Sequence, residues 1–228
     1  LSGTPPVDNT GPVVIPVTVD DGNGGSFTGT VTIDPVNPPP VANDDMQSAA
    51  PETAVVVDLL VNDSDPDGDP LEVVDATLAD PTQGTLVRNP DGSYTFTSAP
   101  GVSGAVVINY TIRDQDGATD SATHTVNVAN QPPQLVDPDP TPGTPEIDPA
   151  DPTNLIVPAV DNVPVSVDLD EYFTDPNTGD TLTITIDPSD LPSWASFDPS
   201  TGVLSGTPPV DNTGPVVIPV TVDDGNGG

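Results

Sequence analysis

The chain has 228 residues, of which 36 are acidic and only two, Arg88 and Arg113, are basic, so its formal net charge at pH 7 is −34. It contains no Cys and one His, which excludes a disulfide framework, a thiolate metal site and a cysteine nucleophile. We expect this segment not to be an enzyme, because side chains that could act as a general base are scarce. We expect no nucleic-acid partner because the net charge is strongly negative, and no membrane span because the apolar runs are short.

An exact repeat occurs within the chain. Residues 1–25, LSGTPPVDNTGPVVIPVTVDDGNGG, recur without a difference at 204–228, an offset of 203 positions. A period this long lies far above the 20–50 residues of solenoid repeats, and it favours about two domains of ~100 residues per period. We interpret the chain as a window on a longer tandem array; an engineered overlap is the alternative cause.

Two Asn-Pro motifs, at 37–40 and 130–133, are expected junctions between domains. Proline stiffens such joints because its φ is fixed. The predicted modules are a C-terminal fragment of a sandwich over 1–36, a complete sandwich over 37–129, and a sandwich over 130–228. The third lacks its last strand, which would be the next copy of Ser26–Asp34. Residues 137–153, rich in Pro, Asp and Thr, are expected to form an extended loop.

Apolar residues alternate with polar ones wherever a strand is expected. The predicted inward faces include Tyr94 with Phe96, then Ile108 with Tyr110 and Ile112 in module two. In module three they comprise Val163, Val165, Val167 and Leu169, then Leu182, Ile184 and Ile186, and finally Val216, Ile218, Val220 and Val222. Period-two alternation with frequent turn signals predicts an all-β fold, as tandem β-sandwiches in an elongated array.

The acidic residues gather between the predicted strands. One loop of module two carries Asp65, Asp67 and Asp69, and a later loop carries Asp114 and Asp116. The matching positions elsewhere are Asp20, Asp21, Asp175, Asn177, Asp180, Asp223 and Asp224. Carboxylates packed this closely repel one another unless a cation lies between them, and Ca²⁺ accepts six to eight such oxygens in flexible geometry. Solvated Asp turns are the simpler interpretation.

The loop from Asp63 also matches the first half of an EF-hand. The bidentate Glu of that motif would fall on Val74, and strands rather than helices flank the loop, so we reject the EF-hand. In a seven-strand sandwich the two acidic loops meet where the chain enters. We therefore expect the module-two carboxylates to converge with Asn37, and those of module three with Asn130.

These motifs resemble those of cadherin-like repeats. The Asn-Pro junctions resemble the cadherin linker, and Asp65-Pro66-Asp67 and Asp175-Pro176-Asn177 resemble its calcium motif. Module two is similar to bacterial cadherin-like Ig domains, and module three to the dystroglycan-type cadherin-like domain, also called a putative Ig domain. The resemblance implies tandem Ca²⁺-binding sandwiches of giant bacterial surface adhesins, located outside the cell. The Leu-Asp-Arg-Glu motif of classical cadherins is absent.

Three functions follow as hypotheses. The first is a calcium-stiffened stalk, or spacer, of a secreted adhesin or extracellular fibre, whose partners are neighbouring repeats of the same chain. The second is a carbohydrate- or partner-binding module, with Trp194 and Phe197 as a stacking platform; a core role for both is the alternative. The third is self-association into a filament by strand exchange. We expect His124 to be a packed histidine rather than a ligand.

Overall fold

The computed structural model describes residues 11–141, 143–210 and 214–227. Parts of both copies of the repeat, residues 1–10, 211–213 and 228, lie outside the described residues. The chain divides into two compact units, the first comprising Leu1–Ala99 and Ala105–Asn127, and the second comprising Pro100–Gly104 and Val128–Gly228. Each unit is built almost entirely from short strands.

Unit 1 contains a two-sheet sandwich of seven strands. The four-stranded sheet has the order β3-β9-β8-β5 and the three-stranded sheet the order β4-β7-β6. Their bounds are β3 Asp45–Ala49, β4 Val55–Val57, β5 Glu72–Leu78, β6 Gly84–Arg88, β7 Tyr94–Ser98, β8 Gly104–Arg113 and β9 Thr119–Val128, with a 3₁₀ turn at Pro81–Gln83. The strand β8 is central to its sheet because it pairs with β5 on one side and β9 on the other.

The core of unit 1 follows the predicted alternation. Along β8 the residues Ile108, Tyr110 and Ile112 are buried, and so are Tyr94 and Phe96 on β7. The Tyr110 hydroxyl donates to the Asn43 carbonyl at 2.9 Å and reaches Asp63 Oδ1 at 3.2 Å. The Tyr110 side chain therefore connects the core to the segment before β3 and to the loop after β4.

The predicted packing of His124 agrees with its position on β9. Its side chain is buried, and its Nδ1 lies 3.9 Å from Asp45 Oδ2 on the neighbouring strand β3. Burial lowers the pKa of His124 although Asp45 opposes this shift. The surroundings of the imidazole therefore favour its neutral form.

A separate hairpin precedes the sandwich. It consists of β1 (Val13–Asp20) and β2 (Ser26–Ile33), paired over their whole length from Val13 opposite Ile33 to Asp20 opposite Ser26. Pro16 lies in β1 opposite Thr30, and β1 is an edge strand of this two-stranded sheet. An edge position suits proline because it cannot donate a ladder hydrogen bond.

Unit 2 has smaller sheets around one apolar cluster. Its strands are β10 Gln134–Leu135, β11 Glu146–Asp148, β12 Asp151–Ile156, β13 Val165–Asp168, β14 Phe173–Thr174, β15 Thr183–Thr185, β16 Ala195–Asp198, β17 Val203–Gly206 and β18 Thr221–Asp223, with a 3₁₀ turn at Leu169–Glu171. The sheets have the orders β10-β14, β11-β12, β13-β17-β16 and β15-β18. The buried cluster comprises Val167, Leu169, Tyr172 and Ile184.

Three sequence expectations for unit 2 need correction. The predicted loop over 137–153 is wrong in its second half, where β11 and β12 pair as a hairpin. The predicted strand face from Val216 to Val222 is only partly formed, since β18 begins at Thr221 and residues 215–220 carry no regular secondary structure. Pro219 interrupts this segment, and proline cannot donate to a ladder. Val163, also predicted inward, is exposed.

Among the described residues, the structure has no helix of the length and hydropathy that crossing a bilayer requires.

Candidate metal centre

The loop after β4 gathers three carboxylates in unit 1. Asp65, Asp67 and Asp69 each offer an oxygen within 4.8 Å of the other two. Backbone N–H groups hold Asp65 in place, because its Oδ1 accepts from Asp67 at 3.0 Å and from Gly68 at 3.2 Å. Gly68 adopts φ +91, a conformation that favours glycine. The turn therefore aims the second oxygen of Asp65 toward its acidic neighbours.

The pKa values of Asp65 and Asp67 are shifted in opposite directions. Hydrogen bonding to Asp65, burial and the nearby negative charges raise the pKa of Asp67 to about 6. Burial opposes ionisation of Asp65, but hydrogen bonds from Asp67, Asp69 and Gly68 outweigh it and hold the pKa of Asp65 below its ordinary value. Two carboxyls at one site commonly shift in this way, because ionisation of the first opposes ionisation of the second.

The junction residue Asn37 reaches the second acidic loop of unit 1. Its Nδ2 donates to Asp114 Oδ2 at 2.8 Å, while Asp114 Oδ1 accepts from Gly117 N at 2.6 Å and Ala118 N at 2.8 Å. Asp114 is buried with both oxygens hydrogen-bonded. It anchors the linker to the β8–β9 loop and belongs to no three-carboxylate group among the described residues.

Unit 2 repeats this arrangement with different residues. Asp175, Asp180 and Asp224 form the second group of carboxylates within 4.8 Å of one another. The Asn177 N–H donates to Asp175 Oδ1 at 2.6 Å, as Asp67 N does to Asp65 in unit 1. Asn130 Nδ2 donates to Asp224 Oδ2 at 2.7 Å, as Asn37 does to Asp114.

The junction of unit 2 makes one further contact. The backbone N–H of Gln131 donates to Asn177 Oδ1 at 2.8 Å, and the Asn177 side chain is only 3% exposed. Asn226 Nδ2 donates to Asp180 Oδ1 at 2.9 Å. Asn130, Asp175, Asn177, Asp180 and Asp224, all predicted site residues, are therefore linked in one network.

Several buried oxygens in these networks lack a hydrogen-bond donor when the carboxyls are ionised. Buried polar atoms in folded proteins normally have a partner, and oxygens of carboxylate and amide groups are the ligands that Ca²⁺ takes. The residues therefore fit a hard divalent cation. In unit 1 the atoms are Asn37 Oδ1, Asp65 Oδ2 and Asp67 Oδ1, and in unit 2 Asn130 Oδ1, Gln131 Oε1, Asp175 Oδ2 and Asp180 Oδ2.

The other predicted ligands lie elsewhere. Asp20 and Asp21 occupy the β1–β2 turn, where Asp20 Oδ1 accepts from Gly22 N at 2.7 Å and Asp21 Oδ1 from Gly25 N at 2.9 Å. Asp116 and Asp223 are exposed. None of these four joins a three-carboxylate group in the described part of the chain.

Sequence reasoning missed Gln131 and Asn226 as members of the network. Both stand in segments that it singled out, the second Asn-Pro junction and the last acidic loop. Amide side chains in those segments are the signal that would have found them.

The aromatic residues do not form an exposed platform. Phe27 is more than half exposed, while Trp194 and Phe197 are half-buried and Tyr94, Tyr110 and Tyr172 are buried. Trp194 lies against Gly206, where an added Cβ would approach its ring to 2.8 Å, and Phe197 packs on the unit 2 cluster. These positions are typical of packing rather than of sugar stacking.

Two family descriptions match the chain. Residues 37–130 match "Bacterial cadherin-like domain", and residues 147–228 match "Putative Ig domain". None of the curated protein sequences matches the chain. Domains of these two families typically lack enzymatic activity, and cadherin-like domains generally bind calcium.

The solved structures that the chain matches include two protocadherins and a hydrolase. The protocadherin GammaB4 extracellular domain is 16% identical, with 88% of this chain and 35% of that chain covered and a TM-score of 0.43. The cis-dimer structure of protocadherin gammaB7 EC3-6 is 16% identical, with coverages of 95% and 57% and a TM-score of 0.44. An endo-fucoidan hydrolase from glycoside hydrolase family 107 is 18% identical, with coverages of 99% and 33% and a TM-score of 0.34.

This chain spans less than two thirds of the length of each of these three structures. Residues 37–130 belong to the bacterial cadherin-like domain family and residues 147–228 to the family described as "Putative Ig domain", so the chain is a tandem of cadherin-like and Ig-like domains, the kind of repeat found in extracellular adhesion proteins.

Proposed function

We propose that this chain is a calcium-stiffened structural repeat, acting as a stalk or spacer in a giant bacterial surface adhesin or extracellular fibre. The observation that carries the proposal is the recurrence, in both units, of one arrangement. A group of three carboxylates lies in each unit, and a junction Asn donates to an Asp of the later acidic loop.

The proposed ligands are carboxylate oxygens of the two three-carboxylate groups. Asp65, Asp67 and Asp69 would hold a cation in unit 1, and Asp175, Asp180 and Asp224 would hold one in unit 2. Bound Ca²⁺ supplies positive charge that offsets the mutual repulsion of these carboxylates. The chain itself keeps Asn37 against Asp114 and Asn130 against Asp224, which restricts the direction in which each junction leaves its loop.

We further propose that the functional modules are 1–36, 37–129 and 130–228, as the junction motifs predict. Each Asn-Pro junction then opens a module and contacts the last acidic loop of that same module. A location outside the cell agrees with the two families.

Substitution of Asp67 tests calcium binding in unit 1. We expect Asp67→Asn to weaken Ca²⁺ binding by about tenfold or more, because affinity depends on the number of charged ligands. Titration calorimetry measures the affinity. Asp91→Asn is the matched control, since Asp91 also lies between Pro and Gly but hydrogen-bonds only Ser93 among the described residues. Equal affinities in the two variants would refute the assignment of Asp67.

Removal of calcium tests the mechanical role. In millimolar Ca²⁺ we expect a higher melting temperature and a narrower distribution of maximum dimensions in small-angle X-ray scattering than in excess EDTA. The physical reason is that cation binding stabilises only the folded loops. An unchanged profile and an unchanged melting temperature after chelation would count against a stiffening role.

Self-association into a filament through exchanged strands is a second candidate function. The observation that favours it is the exact repeat, because residues 13–19 of β1 carry the same side chains as residues 216–222, which lead into β18 of unit 2.

A further inference from the structure

Two of the three carboxylates grouped in unit 2 lie on one loop. Asp175 and Asp180 stand at its two ends, between β14 and β15, and the loop itself contains neither helix nor strand. Their side-chain oxygens lie within 4.8 Å of each other. Because two carboxylates at one site oppose each other's ionisation, the loop keeps them this close only if other contacts hold its shape.

The equivalent loop of unit 1 is held by its own backbone. There one oxygen of Asp65 accepts hydrogen bonds from three N–H groups of the same loop. The donors are Asp67 at 3.0 Å, Gly68 at 3.2 Å and Asp69 at 3.4 Å. The unit 2 loop is one residue longer, and among the described residues Asp175 Oδ1 accepts only from Asn177 N, at 2.6 Å. The unit 2 loop therefore depends more on contacts from outside itself.

The segment Pro100–Gly104 of unit 2 provides such a contact. The Gly101 carbonyl accepts from the Thr178 N–H at 2.8 Å and from the Thr178 hydroxyl at 3.0 Å. A carbonyl oxygen has two lone pairs, so Thr178 occupies both of them. The neighbouring Asn177 is held separately, through the Gln131 N–H described above. Two consecutive residues in the middle of the carboxylate loop are thus bound from outside the loop.

No side chain fits at Gly101. The residue is buried and has φ +75, a conformation that favours glycine. An added Cβ would lie 2.9 Å from Thr178 Cγ2, 3.0 Å from the Pro176 carbonyl oxygen and 3.1 Å from the Thr178 nitrogen. Two of these three atoms belong to the backbone of the loop, so a side chain here would displace the loop itself. Gly104 has a similar φ of +79, but an added Cβ there would meet nothing within 4 Å.

We propose that Gly101 is a positioning residue for the unit 2 carboxylate group. Its carbonyl holds the middle of the loop through Thr178, so that Asp175 and Asp180 stand close together before a cation arrives. A loop that already has its bound shape loses less conformational freedom on binding, and this raises affinity without adding a ligand. The inference rests on the proposed calcium function and deepens it, because it makes Ca²⁺ affinity in unit 2 depend on a residue that touches no cation.

Calorimetric titration with Ca²⁺ tests this role. In an Asp67→Asn background, which weakens the unit 1 site, the titration reports on unit 2. There Gly101→Ala should weaken Ca²⁺ binding at least about fivefold, because the loop must then be ordered by the cation. Gly104→Ala is the matched control, with the same backbone strain and no contact to the loop. Equal affinities in these two variants would overturn the positioning role and leave the calcium proposal standing. A background protein that binds no Ca²⁺ would overturn this inference together with the calcium function of unit 2.

Hydrogen exchange in EDTA tests the contact without a cation. The Thr178 amide should exchange at least about tenfold faster in Gly101→Ala than in Gly104→Ala, because only the first loses its acceptor. Equal protection of this amide in both variants would overturn the contact, whatever the Ca²⁺ affinity.

Variants of Thr178 keep the test available if Gly101→Ala fails to fold. Thr178→Val removes the hydroxyl donor at nearly constant shape, and Thr178→Ser retains that donor. We expect Thr178→Val to weaken Ca²⁺ binding about two- to fivefold in the Asp67→Asn background, the effect of one lost hydrogen bond, and Thr178→Ser to bind like that background. Equal affinities in the two Thr178 variants would show that the Gly101 carbonyl does not position the loop through this hydroxyl, and would overturn the proposal.

Discussion

The Asp65–Asp67 pair links protonation to folding in the metal-free protein. In the folded chain the hydrogen bond to Asp65, burial and nearby negative charges raise the pKa of Asp67 to about 6, against an ordinary pKa of 3.8. Between these values the folded state binds more protons than the unfolded state, so this residue adds stability as the pH falls through 6 and removes it as the pH rises. Burial raises the pKa of Asp45 and Asp63 as well, with the same sign.

The direction of this pH dependence of stability can be measured. In EDTA, raising the pH from 5 to 7 should lower the melting temperature more in the wild type than in Asp67→Asn, which lacks the titrating group. With Ca²⁺ present the stabilisation should be smaller at pH 5 than at pH 7, because protons compete with the cation for Asp67. A pH response that is identical in the two proteins would show that the carboxyl pair is not coupled.

The central strands of unit 1 carry its packing. Phe96 on β7 is fully buried, and its ring lies over Gly84, where an added Cβ would come within 2.8 Å of Phe96 Cε2. We expect Phe96→Ala to reduce the free energy of unfolding of unit 1 by about 3–5 kcal/mol, the sum of lost burial and a residual cavity. Val87→Ala on β6, 58% exposed, is the control and should cost no more than about 0.5 kcal/mol. Urea unfolding measures the free energy of unfolding of the two variants. Similar losses in both would contradict a core of unit 1 built around Phe96.

At the level of elements, the alternation of apolar and polar residues predicted which side chains of a strand are buried. It identified the inward residues of β7 and β8 because each strand has a complete partner ladder, and a one-residue slip would expose its whole apolar set. It failed for residues 215–220, whose alternation is the same as that of β1, because pairing depends on neighbouring strands and not on the segment alone. It also missed the β11–β12 hairpin, because the Pro and Asp residues of that segment are typical of turns and loops.

The candidate site was predictable to a similar extent. Motif spacing placed Asp65, Asp67 and Asp69 on one loop, and it paired Asn37 with the loop of Asp114. The separation of Asp114 from the carboxylate group could not be read from the sequence. It depends on the hydrogen bonds from Gly117 and Ala118 that saturate one oxygen of Asp114.

The whole molecule is dominated by one sign of charge. With a net charge of −34 and two basic residues, of which Arg113 pairs with Glu72, repulsion opposes the compact state. Salt shortens the range of this repulsion from about 30 Å at 0.01 M to about 8 Å at 0.15 M.

We therefore expect the melting temperature in EDTA to rise as NaCl is increased over this range, with KCl giving the same result. The rise should be smaller in saturating Ca²⁺, which has already neutralised the densest carboxylate groups. A melting temperature that falls with salt would indicate that attractive rather than repulsive charge pairs dominate.

The turn hydrogen bonds also bear on how the protein ages. Among dipeptides that begin with Asp, Asp-Gly is the most prone to form isoaspartate. In this reaction the glycine nitrogen attacks the preceding side-chain carboxyl, water leaves, and the resulting cyclic imide is reopened by water at its other carbonyl. The chain contains five Asp-Gly pairs, and in each of them the glycine N–H is already donated to another acceptor. The donations run from Gly22 to Asp20 Oδ1 at 2.7 Å, Gly68 to Asp65 Oδ1 at 3.2 Å, Gly92 to the Asn89 carbonyl at 3.1 Å, Gly117 to Asp114 Oδ1 at 2.6 Å and Gly225 to Asp223 Oδ1 at 2.6 Å. Attack requires each nitrogen to leave its acceptor and approach its own aspartate, so the folded chain should form isoaspartate at these five pairs more slowly than the unfolded chain.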